Sequence, residues 1–371
     1  CAGSAYFNQP LIYSIAKSLD ITTSQAGFAV VIAQIGYGLG LMLLVPLGDL
    51  LNKRKLIVSL MVFAGISQIL LSFSTTLSTL YLFTLCATFG AISAQVLIPF
   101  ASSISPPESS AAIVGKLMSG LVMGIILSRT FAGFVSNYWS WEGVYLSSGV
   151  ITLLFATLMW RKLPNTQPQS DLNIVSIYQS LFQIARNNPH LIRRACAGAL
   201  GFGILSMVFT SMTFVLGSAP YFFNDFEIGL FGLLGVIGIY SSSWSGKTVG
   251  LGKENLVAKL CISLMLFSCV PLFFAQQNIG IYAIGVLMSY FGLTAFHVLN
   301  QNLVYRIDAN ARSRINAVYM TIYFSGAALG SLGAVYAWEH WQWQGCVALG
   351  LTFAIGILWI DRFDFKLMRK N

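Results

Sequence analysis

His297 and Arg129 are the two ionisable side chains that fall well inside long apolar stretches of this sequence. An imidazole titrates near neutral pH when unperturbed, so His297 is suited to relay a proton, or to bond a neutral partner through either ring nitrogen. A guanidinium inside a membrane costs at least ~2.5 kcal/mol and must face water or protein and be paired. Arg129 therefore reads as an anion-binding or gating charge in a cavity, or as a side chain that snorkels or caps carbonyls in the outer half of its helix. Gln95 stands 202 residues before His297, and Asn300 and Gln301 extend the polar strip beyond it. Asn8, Gln9, Gln34, Tyr37, Thr294 and Tyr323 add further amides and hydroxyls. Such groups line a cavity for a small solute, or bond one membrane helix to another.

A second cluster is Asp49 with Lys53, Arg54 and Lys55. One acid among three bases between two helices can form a switchable ion pair, or the bases can simply set orientation. Other chemistry has no constellation to carry it. His190, His297 and His340 lie in separate regions, and Cys1, Cys86, Cys196, Cys261, Cys269 and Cys346 show neither metal-ligand nor redox spacing. The cysteines read as small packing residues. No Gly-x-x-x-x-Gly-Lys-Ser/Thr loop occurs, so the chain by itself is not an ATP-driven pump. No metal, no cofactor and no enzymatic reaction is expected.

The elements that position these residues follow from composition. Hydrophobic residues make up 56% of the chain and charged residues 9%, against roughly 25% charged in soluble domains. The apolar residues gather in stretches that approach the ~20 residues a membrane helix needs. Hydropathy and turn breaks predict an all-α polytopic protein with helices near 24–47, 56–74, 78–104, 110–136 and 141–160, then 194–219, 227–243, 256–275, 279–304, 314–337 and 342–360. Residues 1–19 read as the outer end of a further helix whose beginning precedes Cys1. A signal peptide is the competing reading of that segment, opposed by the lack of a basic start and by Asn8, Gln9 and Pro10 within it. No Asp or Glu falls in the middle of any predicted helix, which removes the easiest proton carrier. His297 is then the expected site of any proton linkage.

The net charge is +9, and its distribution decides its meaning. Nineteen of the twenty-one Lys and Arg residues fall in alternate loops and the C-terminal tail; Lys17 lies on the other face and Arg129 within the membrane. This is the positive-inside pattern, so those loops and the C-terminus are expected in the cytoplasm. The loop-by-loop spread opposes a nucleic-acid partner and leaves the lipid bilayer as the expected surroundings.

The two halves repeat at one offset. Trp139, Trp141 and Gly143 recur 202 residues later as Trp341, Trp343 and Gly345. The same shift carries Gly27 to Gly229, Gly36 to Gly238, Phe89 and Gly90 to Phe291 and Gly292, Met118 to Met320, and Gly124 to Gly326. The sequence thus predicts two six-helix bundles, residues 1–160 and 194–371, with 161–193 as a cytoplasmic linker, partly disordered or forming a short amphipathic helix. Parallel repeats of this kind place solute sites near the midplane between them. Gly120, Gly124, Ser128, Ala132 and Ser136 form a small-residue stripe, repeated by Gly326, Gly330 and Ala334, that suits close helix packing.

These features resemble the major facilitator superfamily. Tyr6-Phe7-Asn8-Gln9-Pro10, Val45-Pro46-Leu47-Gly48-Asp49 and Asn316-Ala317-Val318-Tyr319-Met320 look like a bacterial inner-membrane branch related to the drug:proton antiporters. The family's loop signature, Gly-x-x-x-Asp-Arg-x-Gly-x-Arg-Arg, is matched at Asp49, Arg54 and Lys55 and missed at Val45, Leu50 and Asn52. The resemblance implies a gating role for this loop. The antiporter pattern is broken: Cys86 stands where an Arg is expected before Gly90, and Ser128 and Arg129 replace a Gly-Pro pair. The expected function is secondary active transport of a small solute by alternating access, with proton-coupled efflux implied by the resemblance. Uptake of a small anion through Arg129, or a non-transporting membrane receptor of the same fold, are the alternatives, and a monomer is the expected state.

Overall fold

In a computed structural model the backbone of residues 2–105, 107–165, 174–249, 253–308 and 312–368 is described, with side chains throughout except at some positions, Asp49 among them. Fifteen α-helices and no strand occur among the described residues. They are α1 (Ile12–Leu19), α2 (Thr23–Leu44), α3 (Lys53–Ser72), α4 (Leu77–Gly90), α5 (Ser93–Ser103), α6 (Pro107–Tyr138), α7 (Trp141–Lys162), α8 (Ile174–Asn187) and α9 (Pro189–Leu216). There follow α10 (Asp225–Leu230), α11 (Ile237–Val249), α12 (Glu254–Phe267), α13 (Cys269–Phe273), α14 (Ile279–Tyr305) and α15 (Arg312–Met368). Ten helical stretches of the described residues are long and apolar enough to cross a membrane. One of them runs 49 residues and breaks at Gln342 (φ 55°, ψ −150°), so it supplies two crossings.

Polar caps set where helices begin. Thr22 with Gln25 and Thr76 with Thr79 form reciprocal capping boxes at α2 and α4, which satisfy amides that lipid could not. Asn52, Ser140 and Asn278 accept from the first turns of α3, α7 and α14.

Three predicted helices are not continuous. The 78–104 helix breaks after Gly90, and α5 then contains Pro99. The 227–243 helix splits into α10, a 3-10 segment Phe231–Val236 holding two glycines, and α11. The 256–275 helix interrupts at Ser268 just before Pro271. Proline removes a backbone donor and clashes with the preceding turn, and glycine weakens the helix. Of the predicted 1–19 segment, residues 2–19 are described and are helical only in part: a 3-10 turn over Ala2–Tyr6 leads through Asn8, Gln9 and Pro10 into α1. Within 161–193, α8 is a short amphipathic helix that buries Ile177 and Leu181 and exposes Val175 and Phe182; residues 166–173 lie outside the described ones.

The chain forms two compact units. The first comprises residues 1–179 and 224–232, the second 180–223 and 233–371. In the first unit Gly65 of α3 and Gly149 of α7 bring their helices together, each with the other's carbonyl within 3.2 Å of where a Cβ would lie. The predicted stripe on α6 packs only in part. Ser128 and Ala132 are buried, while a Cβ on Gly120 or Gly124 would meet nothing within 4 Å. In the second unit the equivalent glycines are filled, because Gly326 and Gly330 of α15 lie directly on the backbone of Ala199 and Gly203 in α9.

Candidate functional site

In the first unit the N-terminal turn places Tyr6, Asn8 and Gln9 in the interior, each no more than 7% exposed. Asn8 donates from Nδ2 to the Ala29 carbonyl at 3.2 Å and accepts from the Tyr145 hydroxyl. Gln9 Oε1 accepts from Arg129 Nε at 2.6 Å, and the Arg129 guanidinium lies 4.8 Å from the centre of the Tyr6 ring. A charge-assisted bond and a cation–π contact together hold this buried cation. Gln34 is also buried, and its amide meets no hydrogen-bond partner among the described residues. It shares a face of α2 with Tyr37, whose hydroxyl accepts from Gln95 Nε2 at 3.4 Å.

Arg129 also stands at a close helix crossing. Residues 129, 133 and 136 of α6 face residues 225, 229 and 232, and the two segments run antiparallel. A Cβ on Gly133 would collide with the Asp225 carbonyl, one on Gly229 would lie 2.6 Å from the Arg129 carbonyl, and one on Gly232 would lie 2.8 Å from Arg129 Cβ. Thr130 donates to the Gly229 carbonyl at 3.1 Å. At the end of the crossing Asp225, 7% exposed, accepts from Ser14 and from Ser136 at 2.6 Å, both on Oδ2.

In the loop after α2, Asp49 ends the 3-10 turn Pro46–Asp49, and its side chain lies outside what the structure describes. Arg54 stacks its guanidinium 4.5 Å from the centre of the Trp160 ring. Lys53 is half-buried and Lys55 exposed. Asn52 caps α3 and bonds Asn165 at 2.6 Å.

In the second unit His297 sits in an aromatic niche. Its Nδ1 lies 3.1 Å from the Tyr319 hydroxyl, and its ring centre is 4.4 Å from that of Tyr323. Tyr323 stacks at 4.4 Å on Phe202. Gly198 makes the room: a Cβ there would come within 2.8 Å of the Tyr319 hydroxyl. Thr294 bonds the Tyr290 carbonyl and shares a hydrogen bond with Ser241. Gln301 reaches the Met320 sulfur at 4.0 Å. Asn300 is fully buried and donates to the Arg194 carbonyl at 3.4 Å. Arg194 Nη1 pairs with Asp361 Oδ1 at 3.1 Å, with side chains 1% and 9% exposed.

The structure therefore joins Gln9 to Arg129 and Tyr37 to Gln95 in the first unit, while Asn8 bonds Ala29 and Tyr145 instead. It brings His297 together with Tyr323, while Thr294, Asn300 and Gln301 bond elsewhere along α14. Sequence reasoning missed Tyr319, one helical turn before Tyr323, and the carboxylates of Asp225 and Asp361. It counted Arg194 among the loop bases and named only Arg129 and His297 as intramembrane ionisable residues. Arg194, Asp225 and Asp361 are all buried at or near the ends of helical stretches apolar enough to span a membrane. Their positions near helix ends hid this, because burial there depends on what packs across. Among the described residues no cluster of three or more His, Cys, Asp or Glu could hold a metal ion.

Comparison with known proteins places these units in a family. The family model described as Major Facilitator Superfamily matches residues 1–331. "Uncharacterized transporter YgaY" of Escherichia coli O157:H7 is 36% identical over 352 residues, covering 95% of this chain and 89% of that protein. Among solved structures, a bacterial homologue of the human lysosomal transporter Spinster, in an inward-facing and unoccupied conformation, aligns over 99% of this chain and 95% of its own. Its TM-score is 0.73 at 12% identity. A single-residue mutant of the nucleoside transporter NupG covers 97% of this chain and 96% of its own, with a TM-score of 0.73 and 13% identity. The all-helical fold, the apolar spans and this match over most of the chain make the protein a multi-pass membrane member of the Major Facilitator Superfamily.

Proposed function

We propose that the protein is a secondary active transporter that carries a small solute across the bacterial inner membrane by alternating access. In this reading residues 1–160 and 194–371 act as the two rocking halves, 161–193 links them in the cytoplasm, and the chain works as a monomer with a cytoplasmic C-terminus. The observation that carries it is the His297 niche: an imidazole among Tyr319, Tyr323 and Phe202, inside helices that span lipid. Stacked rings with one hydrogen-bonding nitrogen suit a solute with a flat or apolar body and one polar group. Within the first unit Gln34, Tyr37 and Gln95 form a separate polar strip. Protons are the proposed coupling ion and export the proposed direction.

Arg129 is better suited to gating than to holding an anion. Its Nε is on Gln9, its backbone lies against Gly229 and its side-chain carbons lie against Gly232, so it belongs to a helix crossing. Asp49, Lys53, Arg54 and Lys55 are the proposed gate on the cytoplasmic side.

The test is a thermal-stabilisation screen of full-length protein against aromatic, cationic and anionic solutes, followed by flux of each stabilising solute into proteoliposomes. Tyr323→Ala should lower the stabilisation given by such a solute about tenfold in apparent affinity. A protein that binds a solute yet moves none would be a receptor of transporter fold.

A further inference from the structure

The sequence offers no acid in the middle of a span, yet the first unit buries one. Asp225 is 7% exposed and accepts two serine hydroxyls, from Ser14 of α1 and Ser136 of α6, on the same oxygen. Serine hydroxyls carry no charge, and among the described residues no ion pair reaches this carboxyl. The charged or titratable groups on the elements around it are engaged elsewhere or point outward. On α6, Arg129 is bonded to Gln9, while Lys116 and Tyr138 are exposed. On α1 and at its end, Lys17 and Asp20 are exposed and Tyr13 is half-buried. On its own segment, Glu227 caps the Asn224 amide. Glu142 of α7 accepts from Ser18.

The surrounding packing ties this burial to one conformation. Asp225 is covered because Gly133 and Gly229 let the 224–232 segment lie on α6 backbone to backbone, with Gly232 seated on the Arg129 side chain. Parting the two segments by a few ångströms opens the carboxyl to water from the face that carries the Asp20 loop and the Ser140 cap. By the distribution of basic residues, that face is the outer one.

We propose that Asp225 is a proton-binding site on the outer side of this protein, loaded when the α6 crossing closes and emptied when it opens. An ionised carboxylate with no cation beside it is held poorly out of water, whereas the carboxylic acid fits among hydroxyls. Closing therefore takes one proton onto the carboxylate, and opening returns it to the outer solution. Low external pH favours the closed crossing by linkage. The inference rests on the alternating-access reading above, and it gives that reading a coupling residue.

The test uses full-length protein in nanodiscs, with spin labels at Tyr138→Cys and Leu230→Cys and with Cys1, Cys86 and Cys196 replaced by alanine. Between about pH 5 and about pH 9 the ratio of short to long distances should fall by up to about tenfold per pH unit, the limit for one proton. Asp225→Asn should stay in the short-distance state at every pH. Ser136→Ala removes a donor that favours the charged form, so its midpoint should move to higher pH. It serves as the second variant should Asp225→Asn fail to fold. A wild type without pH response, an Asp225→Asn protein that titrates like wild type, or an unmoved midpoint in Ser136→Ala overturns the proposal. The distances need no solute, so a protein that shows them and moves nothing loses the transport reading alone. One that transports without them loses only this site.

Discussion

The buried pair of Arg194 and Asp361 lends itself to a quantitative prediction. The two side chains meet at 3.1 Å with 1% and 9% of their surface exposed, so neither has bulk water to fall back on. Removing one partner of such a pair typically costs about 3–5 kcal/mol, because the survivor is left as an uncompensated buried charge. Each residue makes further interactions besides this pair, so the survivor keeps part of its compensation and the lower figure applies. Asp361→Leu should destabilise the second unit by about 3 kcal/mol. The double replacement Arg194→Met with Asp361→Leu removes both charges together, and hydrophobic substitutes of similar size often match or exceed the original pair. It should return to within about 1 kcal/mol of wild type, a coupling of at least about 2 kcal/mol. The Arg194 carbonyl that Asn300 uses belongs to the backbone and survives both changes. Reversible unfolding of full-length protein in mixed micelles, by titration with a denaturing detergent, would supply the four free energies of the cycle. The reasoning is refuted if Asp361→Leu costs less than about 0.5 kcal/mol, or if the double variant loses the sum of the two single losses.

Three further outcomes are expected. Gly326→Ala would drive a methyl into the Ala199 backbone and should cost about 2 kcal/mol by overpacking, against a gain of up to ~1 from helix propensity; the same micelle unfolding measures it. His297→Gln keeps the hydrogen-bonding niche but cannot titrate near neutral pH, so the pH dependence of flux should survive it and vanish in Asp225→Asn; the reverse result would return coupling to His297. Alkaline phosphatase fused after Lys370 should be inactive in cells, as a cytoplasmic C-terminus requires, and activity would invert the topology.

The sequence carried the membrane-spanning architecture because lipid imposes a simple demand. Each crossing needs an uninterrupted apolar run, and the runs lie where helices form. The breaks after Gly90, at Phe231–Val236 and before Pro271 were less legible, because hydropathy is blind to backbone geometry. Polar residues were found easily and their partners were not. Arg129 stood out by its charge, but Gln9 as its acceptor depends on how the N-terminal turn folds back. The 202-residue repeat paired Gln95 with His297, yet their surroundings differ: Gln95 reaches the Tyr37 hydroxyl, while His297 is walled by tyrosines. Asp225 and Asp361 looked like ordinary helix-end acids, since a one-dimensional reading shows how close a residue lies to a loop and not what covers it.

The crossing built on Gly133 and Gly229 has a mechanical consequence. Long side chains that interlock can stretch, slide and change rotamer before they let go, so contacts of that kind yield gradually. Backbone resting on backbone has no such slack. Dispersion falls steeply with distance, and a gap of about 0.5–1 Å already forfeits a quarter to a half of it. A joint of this type behaves as a brittle one: it is fully made or fully broken, with little resistance in between and few rotamers to unlock on the way. Small net forces, such as the gain or loss of one charge at its edge, are then enough to decide which of the two it is.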